Sequence, residues 1–167
     1  SFIPNSHYGE ELQYIIDNDQ ITTIYSEAIS NAFNNGSNNA SYEDSDLSNQ
    51  LKTVARLISG GLESKVYLVK LVGFDTHNSQ VQGQSDIQGR HNDLLIELNN
   101  AVASFMDDIS NQGFQDDVVG LTFSEFGRKA KENGNLGTDH GEIAPMFVFG
   151  SVINGGVSGT NPDLTEA

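Results

Sequence analysis

The sequence has no cysteine, no tryptophan, 3 prolines and only 8 basic residues among its 167 positions. Without cysteine there is no disulfide and no thiolate ligand, so a metal site has to be built from His, Asp, Glu or Asn. Phosphate contacts need clustered Lys and Arg, so the shortage of both excludes nucleic acid as a partner. No apolar run reaches the length of a membrane span, and no signal-peptide pattern opens the chain.

Acidic residues are what the chain has in excess. There are 23 of them, which brings the formal net charge to −15. Such an excess suits a solvated surface, cation binding, or both. The length is that of one domain with a sizeable hydrophobic core.

The spacing of apolar residues predicts helices that alternate with strands. Three- and four-residue steps predict a helix over residues 10–33, in one or two pieces, before a loop rich in Asn, Gly and Ser. Ser45 or Asp46 can cap the next helix. The predicted elements after this loop are a helix over 47–59, a strand over 65–74, a helix over 91–109, and strands over 116–123 and 145–150.

This order predicts an α/β fold with a mainly parallel sheet flanked by helices. Residues 1–46 form a helical segment with an Asn-rich loop, and residues 47–167 form the α/β part. In parallel sheets, ligands collect at the carboxyl ends of the strands. The strand ends are therefore where a functional site is expected.

The first predicted strand ends in GFDTH, which contains Asp75 and His77. Residues two apart on an extended backbone face the same way, so this pair could bind a divalent metal. The alternative is an Asp that caps a turn beside a surface His. A D-x-H triplet alone does not decide between the two.

The second predicted strand ends in SEFGR, and a polar loop then leads to GTDHG before the last strand. Glu125, Arg128, Asp139 and His140 lie in this stretch. Arg128 could pair with Glu125, or it could offer a bidentate fork to a phosphate or sulfate ester. The convergence of carboxylates and histidines favours a metal or anion site more than any single motif does. His91, which opens the best predicted helix, is either a surface residue or a further ligand.

The motifs GFDTH, SEFGR and GTDHG, in this order within residues 47–164, resemble those of the bacterial proteins called domain of unknown function 1501. That family is similar to the alkaline phosphatase and sulfatase superfamily. The resemblance implies part of an alkaline-phosphatase-like fold, one or two divalent metal ions (zinc, manganese or calcium), and cleavage of a small phosphate or sulfate ester. It also implies export to the periplasm or the cell exterior.

The same resemblance assigns roles to individual residues. Asp75, His77 and His140 would be metal ligands, and Asp139 a second ligand or the orienting partner of His140. Glu125 would be a ligand or a general base. On this alignment Arg128 would be the anion clamp, and Phe126 stands where the superfamily has a ligand His.

Nothing in residues 1–46 resembles the early strand and nucleophile of that superfamily. This predicts that the chain is the C-terminal portion of a longer protein and is inactive alone. Three functions therefore stay open: a metal-dependent ester hydrolase, a non-catalytic domain that binds a metal, a glycan or a partner protein, and a structural acidic domain.

Overall fold

A computed structural model describes residues 3–83, 85 and 87–160 of the chain. The described residues form three helices and four short strands, so the fold class is mixed α and β. In chain order the elements are α1 (His7–Asn35), α2 (Asp46–Ser59), α3 (Arg90–Asn111), β1 (Gly120–Leu121), β2 (Gly127–Glu132), β3 (Thr138–Gly141) and β4 (Val148–Phe149).

Helices α1 and α2 each begin where a serine side chain accepts a hydrogen bond from a backbone N–H group of the first turn. The Ser6 hydroxyl accepts a hydrogen bond from the Gly9 N–H at 3.3 Å, and α1 then continues without a break through the DNDQ sequence. Of the two predicted caps of α2, Ser45 has this role, because its hydroxyl accepts from the Ser48 N–H at 3.2 Å. A side-chain cap of this kind typically contributes about 1 kcal/mol.

The chain divides into two compact units. The first comprises Ser1–Asn38 and Thr53–Tyr67, and the second comprises Asn39–Lys52 and Leu68–Ala167. In the first unit, the end of α1 meets the end of α2 at two glycines, Gly36 and Gly60. Beside them the Arg56 guanidinium lies over the Phe33 ring, 4.0 Å from its centroid. The backbones approach this closely because neither glycine has a side chain.

The second unit contains most of the buried residues. One face of α3 is apolar and buried, as its three- and four-residue spacing predicts. The buried hydrophobic residues of this unit are Leu47, Leu51, Leu94, Ala101, Phe105 and Ile109. The fully buried Asp108 carboxylate among them accepts hydrogen bonds from the Asn39 N–H at 2.6 Å and from the Tyr42 hydroxyl at 2.9 Å. This carboxylate therefore ties the Asn-rich loop to α3.

The strands differ from the expected parallel sheet. In the described part of the chain, β1 pairs with β4 and β2 pairs with β3, and both pairs are antiparallel. The polar stretch expected to be a loop forms the β2–β3 hairpin instead. Its strands are polar on both faces, so they lack the alternation by which a half-buried strand is recognised.

The predicted strand over 65–74 is not part of either sheet. Burial nevertheless alternates residue by residue from exposed Val66 to exposed Val72, which is the two-residue period of a β-strand. We call residues 68–72 the open strand.

No helix in the described part of the chain is long and apolar enough to cross a membrane.

Candidate metal centre

Three side chains predicted to be ligands converge at one point. Asp75, His77 and His140 each bring a ligand atom to within 4.8 Å of the other two. Oδ1 of Asp75 lies 3.1 Å from Nε2 of His77 and 2.9 Å from Nε2 of His140. We call these residues the DHH cluster. Among the described residues it is the one group of three or more such side chains close enough to hold a metal ion.

Backbone hydrogen bonds bring the hairpin to the segment that follows the open strand. The Thr138 N–H donates to the Thr76 carbonyl at 3.3 Å, and the Gln80 N–H donates to the Leu136 carbonyl at 2.8 Å. Gly137 is buried against the His77 backbone, where a Cβ atom would clash with the His77 carbonyl. These contacts place β3, and therefore His140, beside Asp75.

Arg128 supports the DHH cluster from β2. Its Nη2 donates to Oδ1 of Asp75 at 2.6 Å and to the Phe74 carbonyl at 2.7 Å, while Nη1 donates to the Thr138 carbonyl. Its side chain is only 19% exposed. The acid that pairs with Arg128 is therefore Asp75, whereas Glu125 makes no hydrogen bond or ion pair within the described residues.

Asp139 contacts His77 and not its sequence neighbour His140. Its Oδ1 lies 3.3 Å from Nδ1 of His77, on the other side of the ring from the Nε2 that faces Asp75. Asn133 donates to the same Oδ1 at 3.1 Å and to the His77 carbonyl at 2.8 Å. This carboxylate–histidine contact is the arrangement that orients metal-binding imidazoles in many proteins.

Phe126 packs directly against the third member of the cluster. Its ring lies 4.0 Å from the His140 ring, centroid to centroid, with the two planes 15° apart. The Arg128 guanidinium carbon lies 5.1 Å from the same ring centroid. From the sequence, Phe126 was predicted only to be unable to bind metal. Asn133 and the stacking role of Phe126 were not found from sequence, because neither belongs to a ligand motif.

Two further predicted positions lie outside the DHH cluster. The His91 ring packs edge-on against the Phe74 ring, with centroids 5.7 Å apart. The backbone N–H of His91 donates to the Gln80 carbonyl. Burial lowers the pKa of His91, and the charge of Arg128 adds to this effect. Glu125 is not among the residues whose ligand atoms converge.

The electrostatics of the cluster favour ionised carboxylates. The hydrogen bond with His140 lowers the pKa of Asp75, and the charges of His77 and Arg128 act in the same direction. The hydrogen bond from Asn133, followed by that with His77, lowers the pKa of Asp139. Both carboxylates are therefore ionised at neutral pH and attract a cation.

A family model described as "Protein of unknown function (DUF1501)" matches residues 19–167. The chain belongs to the DUF1501 family. The matched residues include every member of the DHH cluster. Searches of curated proteins and of solved structures found no match.

Proposed function

We propose that the DHH cluster binds one divalent cation as part of a metal-dependent hydrolase of phosphate or sulfate esters. The observation that supports this proposal is the convergence of Asp75, His77 and His140 within 4.8 Å. The resemblance of their motifs to the alkaline phosphatase and sulfatase superfamily supplies the reaction class. A small anionic ester is the substrate in this proposal.

The chemistry of the donors fits a transition metal better than calcium. Ligand atoms around a tetrahedral zinc lie about 3.3 Å apart when the bonds are about 2.0 Å long. The 2.9 and 3.1 Å separations from Oδ1 of Asp75 are close to this value. Two imidazoles and one carboxylate suit zinc or manganese, whereas calcium prefers six to eight oxygens.

The surrounding residues would keep the three ligands in place. Asp139 holds Nδ1 of His77, Phe126 stacks on His140, and Arg128 holds Asp75. When bound, the metal would polarise the ester oxygen and lower the pKa of the attacking group. We propose supporting roles for Asp139 and Arg128, because their contacts in the structure are with the ligands themselves.

Two hydroxyl groups that lie near the cluster are already engaged in hydrogen bonds. The nearby hydroxyls of Thr76 and Thr138 both donate to Oε1 of Gln80, at 2.9 and 2.8 Å. Neither is therefore poised as a nucleophile. We infer that this chain supplies the metal-binding side of a larger active site and turns over little or no substrate alone. Export is part of the same proposal and rests on the family resemblance.

A second candidate function is a non-catalytic domain that binds metal, a glycan or a partner at the same surface. The observation that favours it is the hydrogen bonding of the Arg128 guanidinium group. Its Nη1 and Nη2 already bond to Phe74, Asp75 and Thr138, which leaves no free fork for an anion. In this reading the metal has a binding or structural role.

A zinc titration by isothermal calorimetry tests the metal site directly. We expect one equivalent to bind, and we expect His77→Ala and His140→Ala each to weaken binding by more than about 100-fold. His7→Ala is the matched control, because His7 lies on α1 and, among the described residues, pairs only with Glu10 and Glu11. No binding by the parent chain, or equal binding by all variants, would reject the site.

Turnover separates the two candidate functions. Once zinc or manganese binding is established, the protein encoded by the full gene is assayed with 4-nitrophenyl phosphate and 4-nitrophenyl sulfate. Metal-dependent hydrolysis that His140→Ala abolishes supports the hydrolase. Tight metal binding without turnover of either ester supports the non-catalytic domain.

A further inference from the structure

Three observations agree with an extended, strand-like backbone in the open strand. Burial alternates along it, with Leu68 and Val72 exposed by 76% and 61% and with Val69 and Leu71 half-buried. None of its residues has a positive φ. In addition, one side-chain amide bonds to both the N–H and the C=O of Lys70, which requires these two groups to point the same way, as they do in a strand.

The side-chain amide of Gln50 closes the edge of the open strand at which the backbone groups of Lys70 lie. Gln50 accepts from the Lys70 N–H and donates to the Lys70 carbonyl, each at 2.9 Å, and so takes the place of a neighbouring strand. Successive residues of a strand direct their backbone groups to opposite edges. The edge of Lys70 is therefore capped by Gln50, which belongs to the same compact unit.

The opposite edge presents the backbone groups of Val69 and Leu71. Neither residue makes a backbone or side-chain hydrogen bond within the described part of the chain. Unpaired backbone groups on an apolar strand are a template for another strand, since both the hydrogen bonds and the apolar surface are then satisfied. We propose that this edge binds an extended segment as an added β-strand.

The charge of the open strand indicates which residues that segment carries. Lys70 lies between Leu68 and Val72 on the exposed face. A side chain directly opposite a lysine stabilises the pair when it is acidic and destabilises it when it is basic. The partner is therefore an extended segment with apolar residues on both sides of a central Asp or Glu.

A second copy of this chain is a poorer occupant. A two-fold antiparallel pairing centred on Lys70 would place two lysines opposite each other. The proposal therefore commits to a separate acidic and apolar strand, and it does not depend on the metal centre.

The test uses a synthetic peptide with the core TVVEVVT, extended by Ser and Gly at both ends for solubility and blocked by acetyl and amide groups. The core is a palindrome, so the test assumes neither a parallel nor an antiparallel direction. We expect saturable binding and slower amide hydrogen exchange at Val69 and Leu71. The Lys70 amide should change little, because Gln50 already holds it.

Two control peptides and one charge-reversal variant of the protein make the test specific. N-methylation of all four valines should abolish binding, since it removes the backbone donors. A Lys in place of the central Glu should weaken binding about fivefold, and Lys70→Glu should reverse that preference. Lys65→Glu, outside the open strand, should leave the preference as it is.

Several results would overturn the proposal. These are no saturable binding, binding that survives N-methylation, and protection that falls elsewhere than Val69 and Leu71. A concentration-dependent dimer that protects these two amides without peptide would assign the edge to a second copy instead.

Discussion

Nδ1 of His77 lies 3.3 Å from Oδ1 of Asp139, while Nε2 of the same ring lies 3.1 Å from Asp75. One imidazole thus joins two carboxylates, one from each of two chain segments that are distant in sequence. The Asp75 side faces the DHH cluster, and the Asp139 side holds the ring in orientation.

Asp139→Asn should weaken zinc binding about 10- to 100-fold without changing the stoichiometry. The amide keeps the shape of the side chain but loses the charge that supports the His77 imidazole. Calorimetric titration measures both quantities. Asp117→Asn, on the loop after α3, is the control and should bind zinc like the parent. A complete loss of binding with Asp139→Asn would instead make Asp139 a ligand.

Phe126→Leu should weaken zinc binding by less than His140→Ala does, because it removes the stack on His140 and leaves the ligand in place. Phe126→Tyr preserves the ring and should retain the parent affinity. The diagnostic readout is the NMR shift of the His140 ring protons, which lose the ring current of Phe126 in the leucine variant. An unchanged shift would show that the two rings are not stacked in solution.

Alkaline pH should unfold the second unit partly through Tyr42. Burial, followed by the hydrogen bond to Asp108 and the negative charge of Asp108, raises the pKa of Tyr42 above its ordinary value of 10.0. Because the folded state holds the neutral phenol, this contribution to stability is complete below pH 10 and declines as the pH rises above it. Circular dichroism and tyrosine absorbance against pH measure the loss.

Tyr42→Phe is the variant that isolates this effect. It should lower stability at neutral pH by about 1.5–3 kcal/mol, because the lost hydrogen bond is to a charged group. It should also make the decline above pH 10 shallower than in the parent. Tyr14→Phe, at an exposed position of α1, is the control, because it also removes one tyrosine from the absorbance signal. An identical alkaline decline in parent and Tyr42→Phe would contradict the role of Tyr42.

Gly60→Ala should destabilise the first unit by about 1–3 kcal/mol, because the new Cβ would overlap the Ala32 carbonyl. Gly61→Ala is a demanding control, since its Cβ meets nothing within 4 Å but its φ is +83°. That variant should cost about 1 kcal/mol from backbone strain alone. Chemical denaturation of both variants measures the difference. A smaller cost at Gly60 than at Gly61 would exclude close packing of the two helix ends.

Helix positions could be predicted because their information is local. The apolar spacing of α2 and α3 and the hydroxyl of Ser45 identify these helices within a few residues of their observed bounds. The β2–β3 hairpin could not be predicted in this way. Gly127–Glu132 is polar on both faces, and its stability comes from pairing with a strand that the pattern does not reveal.

The prediction of a parallel sheet was wrong for the described residues for a related reason. The run of β-formers over residues 65–74 predicts a strand, and burial alternates along residues 66–72 as it does in one, but this segment forms no strand in the structure. The pattern cannot specify a partner. Strand pairing is a long-range contact, and here Gln50 takes one edge while the other stays open. The sequence pattern thus indicates the conformation of a segment without indicating what it pairs with.

The sequence by itself determined which residues could form a metal site, since without cysteine only carboxylates and histidines remain as strong ligands. It also predicted that Asp75 and His77 face the same way, from their spacing alone. Only the tertiary structure decided that His140 joins them, that Asp139 turns to His77, and that Arg128 pairs with Asp75. Neighbouring residues on a strand point to opposite sides, so adjacency in sequence could not assign the contacts of Asp139 and His140. The hairpin register and its backbone bonds to residues 76–80 made that assignment.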